Sequence, residues 1–196
     1  MKKLSARELS LCGMFIALIT AGTFIRIPVG TDVYTLQFLF TLLAGLVLGA
    51  KLGAAAVGGY VLLGLLGVPV FASGGGLAYV LQPTFGYLLG FILQAYLCGV
   101  FARKLGRVTL GNLLKVNLLG MAVVYLIGIS YFYIFSNYVI DAPISLWWAV
   151  FYCGILQVFP DFLLCLAAAG LGARSYRAGL WVMNASEQHG KIAEEM

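Results

Sequence analysis

The sequence predicts an all-α membrane protein of six transmembrane helices. Three observations carry that prediction. First, 62% of the 196 residues are hydrophobic and only 10% are charged, against about 45–50% and 25% in soluble domains, and the mean hydropathy is +1.01. Second, the apolar residues fall into six runs, and a helical span takes roughly 20 such residues. Third, the charges collect in the connections, with nearly all cations on alternate ones. A soluble enzyme, a disordered chain and a disulfide scaffold are excluded as classes: disorder requires low hydrophobicity with high charge. Six spans with short loops use the whole chain, so residues 1–196 are expected to form one integral membrane domain.

Span one is expected over about 9–27, after the charged start Lys2-Lys3 and Arg7-Glu8, and it stops at Pro28-Val29-Gly30. It is as long as a full span and is followed by more apolar chain, which argues against a cleaved signal segment. Span two is shorter, about 36–49, and joins span three, about 52–67, through the tight turn Gly49-Ala50-Lys51-Leu52-Gly53. Span three carries Gly58, Gly59, Gly64 and Gly67, which permit close helix approach. A long glycine-rich, aromatic segment from Val68 to Tyr87 follows. It serves either as a hinge or as a lid over an outward-facing pocket. Span four covers about 82–102 and ends at Arg103-Lys104, span five about 113–135, and span six about 146–172 with Pro160 inside it.

With the N-terminus in the cytoplasm, the inner segments hold Lys2, Lys3, Arg7, Lys51, Arg103, Lys104, Arg107, Lys115, Arg174 and Arg177. The outer connections hold only Arg26 with Asp32 and Asp141. Cations favour the cytoplasmic side, so a multi-pass cell-membrane protein with both termini cytoplasmic is expected. The net charge of +5 then reports topology rather than nucleic-acid binding, and a basic patch of this kind contacts the lipid bilayer.

Polar groups inside a bilayer are costly and are functional suspects by default. Gly13, Ala17 and Ala21 form a small-residue stripe spaced by four, suited either to packing within the chain or to docking against another subunit. Arg26 and Asp32 flank the outer end of span one; they either pair at the interface, or Arg26 binds an anionic ligand through its forked donors. The triple glycine Gly74-Gly75-Gly76 offers backbone groups to whatever approaches, without the Lys-Ser/Thr of a phosphate-binding loop. Gln157, Pro160 and Asp161 interrupt span six; Asp161 either sits at the interfacial end of the helix or faces a ligand, where a carboxylate can accept two N–H groups from a cyclic urea or amide.

No catalytic constellation is visible. The sole histidine is His189 in the polar tail, and HExxH and GxSxG are absent. Cys12, Cys98, Cys153 and Cys165 sit in apolar runs without a CxxC pair, so buried thiols rather than metal ligands are expected. No cofactor and no metal are implied. With no ATP-binding motif, uphill transport would draw its energy from a partner or an ion gradient.

Three stretches resemble the BioY family, the biotin-specific S components of energy-coupling factor (ECF) transporters. They are Ala17–Pro28 followed by Thr35-Leu36-Gln37 and Leu42-Leu43-Ala44-Gly45; Gly64–Ala72 followed by Gly75-Gly76-Leu77, Pro83-Thr84 and Gly86-Tyr87-Leu88; and Pro160-Asp161. The resemblance implies an S-component bundle that binds biotin near the outer surface and works with a membrane scaffold subunit and two cytoplasmic ATPases. It implies scaffold docking on an Ala-x-x-x-Ala pair in the first helix, here Ala17 and Ala21, with Gly13 continuing the stripe. It also implies a substrate site drawn from Arg26, Gln37, Gly75, Gly76, Tyr79, Gln82, Tyr87 and Asp161. The chain departs from the family pattern at Gly74 and Leu164, where basic residues are common, and at Gln82 and Phe85 around Pro83-Thr84. Arg26 is then the remaining outer cation for a carboxylate, and a biotin analogue is the alternative ligand. A solitary secondary transporter or facilitator is the alternative mechanism.

Overall fold

The computed structural model describes residues 5–29, 32–140 and 142–182, with the backbone alone at 26–29 and 32–34. Among the described residues six α-helices form: α1 Ala6–Phe24, α2 Gln37–Leu48, α3 Ala50–Leu65, α4 Phe85–Arg103, α5 Leu110–Tyr138 and α6 Leu146–Arg177. Four of them, α1, α4, α5 and α6, are long and apolar enough to cross a membrane. The other two have 12 and 16 residues, about 18 and 24 Å at 1.5 Å per residue, short of a hydrocarbon core of about 30 Å.

The shortest helix is the central one. α2 is apolar on every side, and ten of its twelve residues are buried; a helix hydrophobic all round belongs in a core. It packs against α1, α3, α4 and α6. Its ends therefore meet protein rather than lipid, which is where irregular backbone is tolerated at membrane depth. By contrast, only 22% of the span windows of α1, α5 and α6 are buried within the chain, so their apolar flanks face outward.

Small residues bring the central helices together. A side chain at Gly45 would strike the Ala95 backbone, one at Gly53 the backbone of Ala44 and Gly45, and one at Gly99 the Gly49–Ala50 junction. Gly49 itself has φ +85° and turns α2 into α3 within one residue. Of the span-three glycines, Gly59 meets Ile16 of α1 and Gly64 seats the Phe71 ring. Gly58 has open space beside it and takes no part in close packing. Arg103 locks this end. Its guanidinium donates to the carbonyls of Leu46 (3.1 Å), Val47 (3.3 Å) and Val182 (2.9 Å) and lies 5.3 Å from the ring centre of buried Trp181.

Three local differences separate the structure from the sequence expectations. Span one was expected to reach residue 27, but α1 stops at Phe24. Arg26–Val29 (β1) instead pairs antiparallel with Asp32–Thr35 (β2), Arg26 opposite Thr35. Pro28 biases its neighbour to extended backbone, and the β-branched and aromatic residues around it suit a strand. The segment 68–84 is ordered rather than a loose hinge: it holds a 3₁₀ helix, Leu77–Leu81, and a Phe71–Gly74 bridge. Finally, α6 contains a π turn over Phe151–Ile155, just before Pro160.

Candidate functional site

Opposite the Arg103 end, a cavity of about 300 Å³ opens between α2, α4, α5, α6 and the 68–84 segment, at the lower end of the range for small-molecule sites. Each wall has a local cause. Gln37 opens α2, where the chain leaves β2. Thr84, Tyr87, Leu88 and Phe91 come from the start of α4, Val124 and Tyr125 from mid-α5, and Gln157 and Asp161 from α6. Those two are four residues apart and share one helix face.

The 68–84 segment supplies Ala72, Ser73 and Tyr79. Phe71 anchors it: the ring is 1% exposed, fits over Gly64, and meets Tyr60 edge-on at 5.5 Å and Tyr79 at 4.4 Å. Phe71 and Gly74 exchange backbone hydrogen bonds, with Gly74 at φ +109°, so Ala72 and Ser73 form the tip of a tight turn. Gly75 and Gly76 lie behind that tip. A Cβ at Gly75 would strike the carbonyls of Val68 and Gly64, and the Gly76 N–H donates to Gly64 O at 2.7 Å. These two glycines fasten the segment to the end of α3 and are not in the cavity wall.

Tyrosine hydroxyls tie the walls together. Tyr60 donates to Val70 O (3.0 Å) and accepts from the Gln37 side-chain amide (3.2 Å). Tyr87 donates to Cys153 O (2.8 Å), inside the π turn of α6. Tyr131 donates to Val80 O. Tyr125 donates to Asp161 Oδ2 at 2.6 Å, a short charge-assisted bond that fixes the carboxylate against α5. The second oxygen of Asp161 has no partner among the described residues.

Of the residues singled out from sequence, Gln37, Tyr79, Tyr87, Gln157 and Asp161 come together in this wall. Gln82 is exposed and outside it. Arg26 sits on β1 opposite the wall residue Thr35, and its side chain lies outside the described residues. Leu164 packs on the core, so it supplies no cation. Thr35, Phe38, Thr84, Phe91 and Tyr125 were missed. Tyr125 had one usable signal: a tyrosine at mid-span, away from the interfacial positions where aromatic belts collect. Gly13, Ala17 and Ala21 are all exposed, and a Cβ at Gly13 would meet nothing within 4 Å.

The four cysteines are free thiols. Among the described residues no cluster of metal-ligating side chains occurs.

The sequence profile of the BioY family matches residues 1–180. The chain belongs to the BioY family. A Lysinibacillus sphaericus protein named a probable biotin transporter BioY is 38% identical over 178 residues, covering 90% of this chain and 90% of that one. The biotin transporter BioY of Rhodobacter capsulatus is 39% identical over 178 residues, covering 86% and 92%. Among solved structures, the S-component for biotin from an ECF-type ABC transporter superposes with a TM-score of 0.76 at 25% identity, covering 89% of this chain and 95% of that one. This chain is thus a multi-pass membrane protein of a transporter family, with the predominantly helical fold of an ECF S component, and not an enzyme.

Proposed function

We propose that this BioY protein is the substrate-binding S component of an ECF-type importer, capturing biotin or a close analogue at the outer face of the membrane. One observation carries the reading: a single cavity gathers Gln37, Tyr79, Tyr87, Gln157 and Asp161 from an otherwise apolar chain. In a bilayer protein, such convergence marks a ligand path. Asp161, held by Tyr125, offers its second oxygen to a ureido N–H. Gln157, one turn away, faces the ureido carbonyl with its amide. Tyr79, Tyr87 and Phe91 enclose the bicyclic ring. Arg26 is the anchor for the valerate carboxylate, since the described wall contains no Lys or Arg.

The charge distribution supports an orientation with both termini and the Arg103 end in the cytoplasm, so the cavity faces out. The stripe of Gly13, Ala17 and Ala21 is the docking surface for a membrane scaffold subunit, because its exposure leaves it unused by the chain itself. ATP is consumed by two cytoplasmic ATPase subunits, and this chain needs no cofactor. The test is biotin uptake in a host stripped of its own biotin importers. Concentrative uptake is expected only when this chain, a scaffold and active ATPases are all present. Uptake by the chain alone would instead assign a solitary facilitator.

A further inference from the structure

We infer that the groove between the start of α5 and the last turns of α6 binds one anionic phospholipid, headgroup and acyl chain together. The groove has a volume of about 470 Å³, and its lining joins Arg174 and Arg177 to Leu110, Ala167, Gly170 and Leu171. Two arginines three residues apart share one helix face. Neither guanidinium is engaged by another described residue, and no acidic side chain is in the lining. Beside them α5 begins. Thr109 caps only the Asn112 N–H, so the first N–H groups of α5 add partial positive charge at the same mouth.

The rest of the groove is apolar and open on its outer side. A side chain added at Gly170 would meet nothing within 4 Å, while Leu110 and Leu171 are about half exposed, at 48% and 45%. A phosphate diester at the arginines with a hydrocarbon tail along Gly170 satisfies both halves. A free phosphate satisfies only one. Basic pockets between transmembrane helices at the cytoplasmic surface are suited to anionic headgroups. The inference rests on the membrane reading of the chain and not on the identity of its substrate.

The test is native mass spectrometry of the full chain in detergent with added phosphatidylglycerol or phosphatidylcholine, with biotin binding measured in parallel to report folding. Phosphatidylglycerol adducts should exceed phosphatidylcholine adducts at least fivefold. Arg174→Gln with Arg177→Gln should remove that excess, and so should Gly170→Phe, which fills the groove but keeps both charges. Lys104→Gln with Lys115→Gln, a matched loss of charge elsewhere on the same end, should change adducts less than twofold. Equal retention of the two lipids, or an equal loss in the lysine control, would overturn the site. So would displacement of the lipid by inorganic phosphate. Lipid binding that appears only after Glu187, Glu194 and Glu195 are neutralised would assign the groove to the chain's own tail.

Discussion

At the cavity end of the bundle, tyrosine hydroxyls reach across gaps to backbone carbonyls on other elements, Tyr60 to Val70, Tyr87 to Cys153 and Tyr131 to Val80. At the opposite end the central helices α2, α3 and α4 leave no gap between them to bridge. Gly45, Gly53 and Gly99 put backbone on backbone, and one guanidinium clamps α2, α4 and the 182 segment. The first arrangement leaves room for a ligand and is held by a few directional bonds. The second is closely packed where α2, α3 and α4 meet. In a chain with so few polar groups, where those groups are placed decides which end is chemical and which is structural.

Substitutions break that contrast in graded ways. The largest effect is expected at Asp161: Asp161→Ala should weaken biotin binding roughly 100-fold, about 2–3 kcal/mol, because a charged acceptor is lost from a desolvated site. Equilibrium binding with purified protein reads it, and the melting temperature should change little. At the other end the pattern reverses. Gly99→Val forces a branched side chain onto the Gly49–Ala50 backbone, and overpacking of this kind costs about 1–3 kcal/mol. Thermal unfolding in detergent should show a clear drop, while the protein that remains folded binds biotin normally.

Tyr87→Phe removes the bond to Cys153 O but keeps the ring. Binding should fall about fivefold, the worth of roughly 1 kcal/mol, with stability nearly intact. Ala17→Trp sits on neither end. It should leave binding within twofold while abolishing co-purification with the scaffold; retained co-purification would show that the stripe is not the docking surface. Gln82→Ala, outside the cavity wall, should change affinity less than twofold, and a tenfold loss would mean the wall extends further than the present geometry indicates.

Hydropathy made the six helices legible, because apolar length is the quantity a bilayer selects. It did not reveal that α2 is central: a helix apolar all round has no face to point inward, and its short length read as an ambiguity. The β1–β2 hairpin escaped because four-residue strands next to a long apolar run give too little alternation to register. Asp161 and Gln157 stood out because polarity is rare in this chain, Tyr79 and Tyr87 through the aromatic 68–87 segment, and Gln37 only through the resemblance to the BioY family. Tyr125 did not, since a tyrosine in an apolar helix reads as one more aromatic until its hydroxyl is seen 2.6 Å from Asp161. Gly75 and Gly76 were legible as special but not as to why: their small size serves packing against Val68 and Gly64 rather than contact with a ligand.

The most direct test is titration of biotin into the purified chain and its Asp161→Ala variant, each alone in nanodiscs without scaffold or ATPases. Saturable one-to-one binding by the unaltered chain, lost about 100-fold in the variant, is the predicted result. A chain that does not bind biotin saturably, or a variant that binds as well as its parent, would contradict the assignment of this cavity.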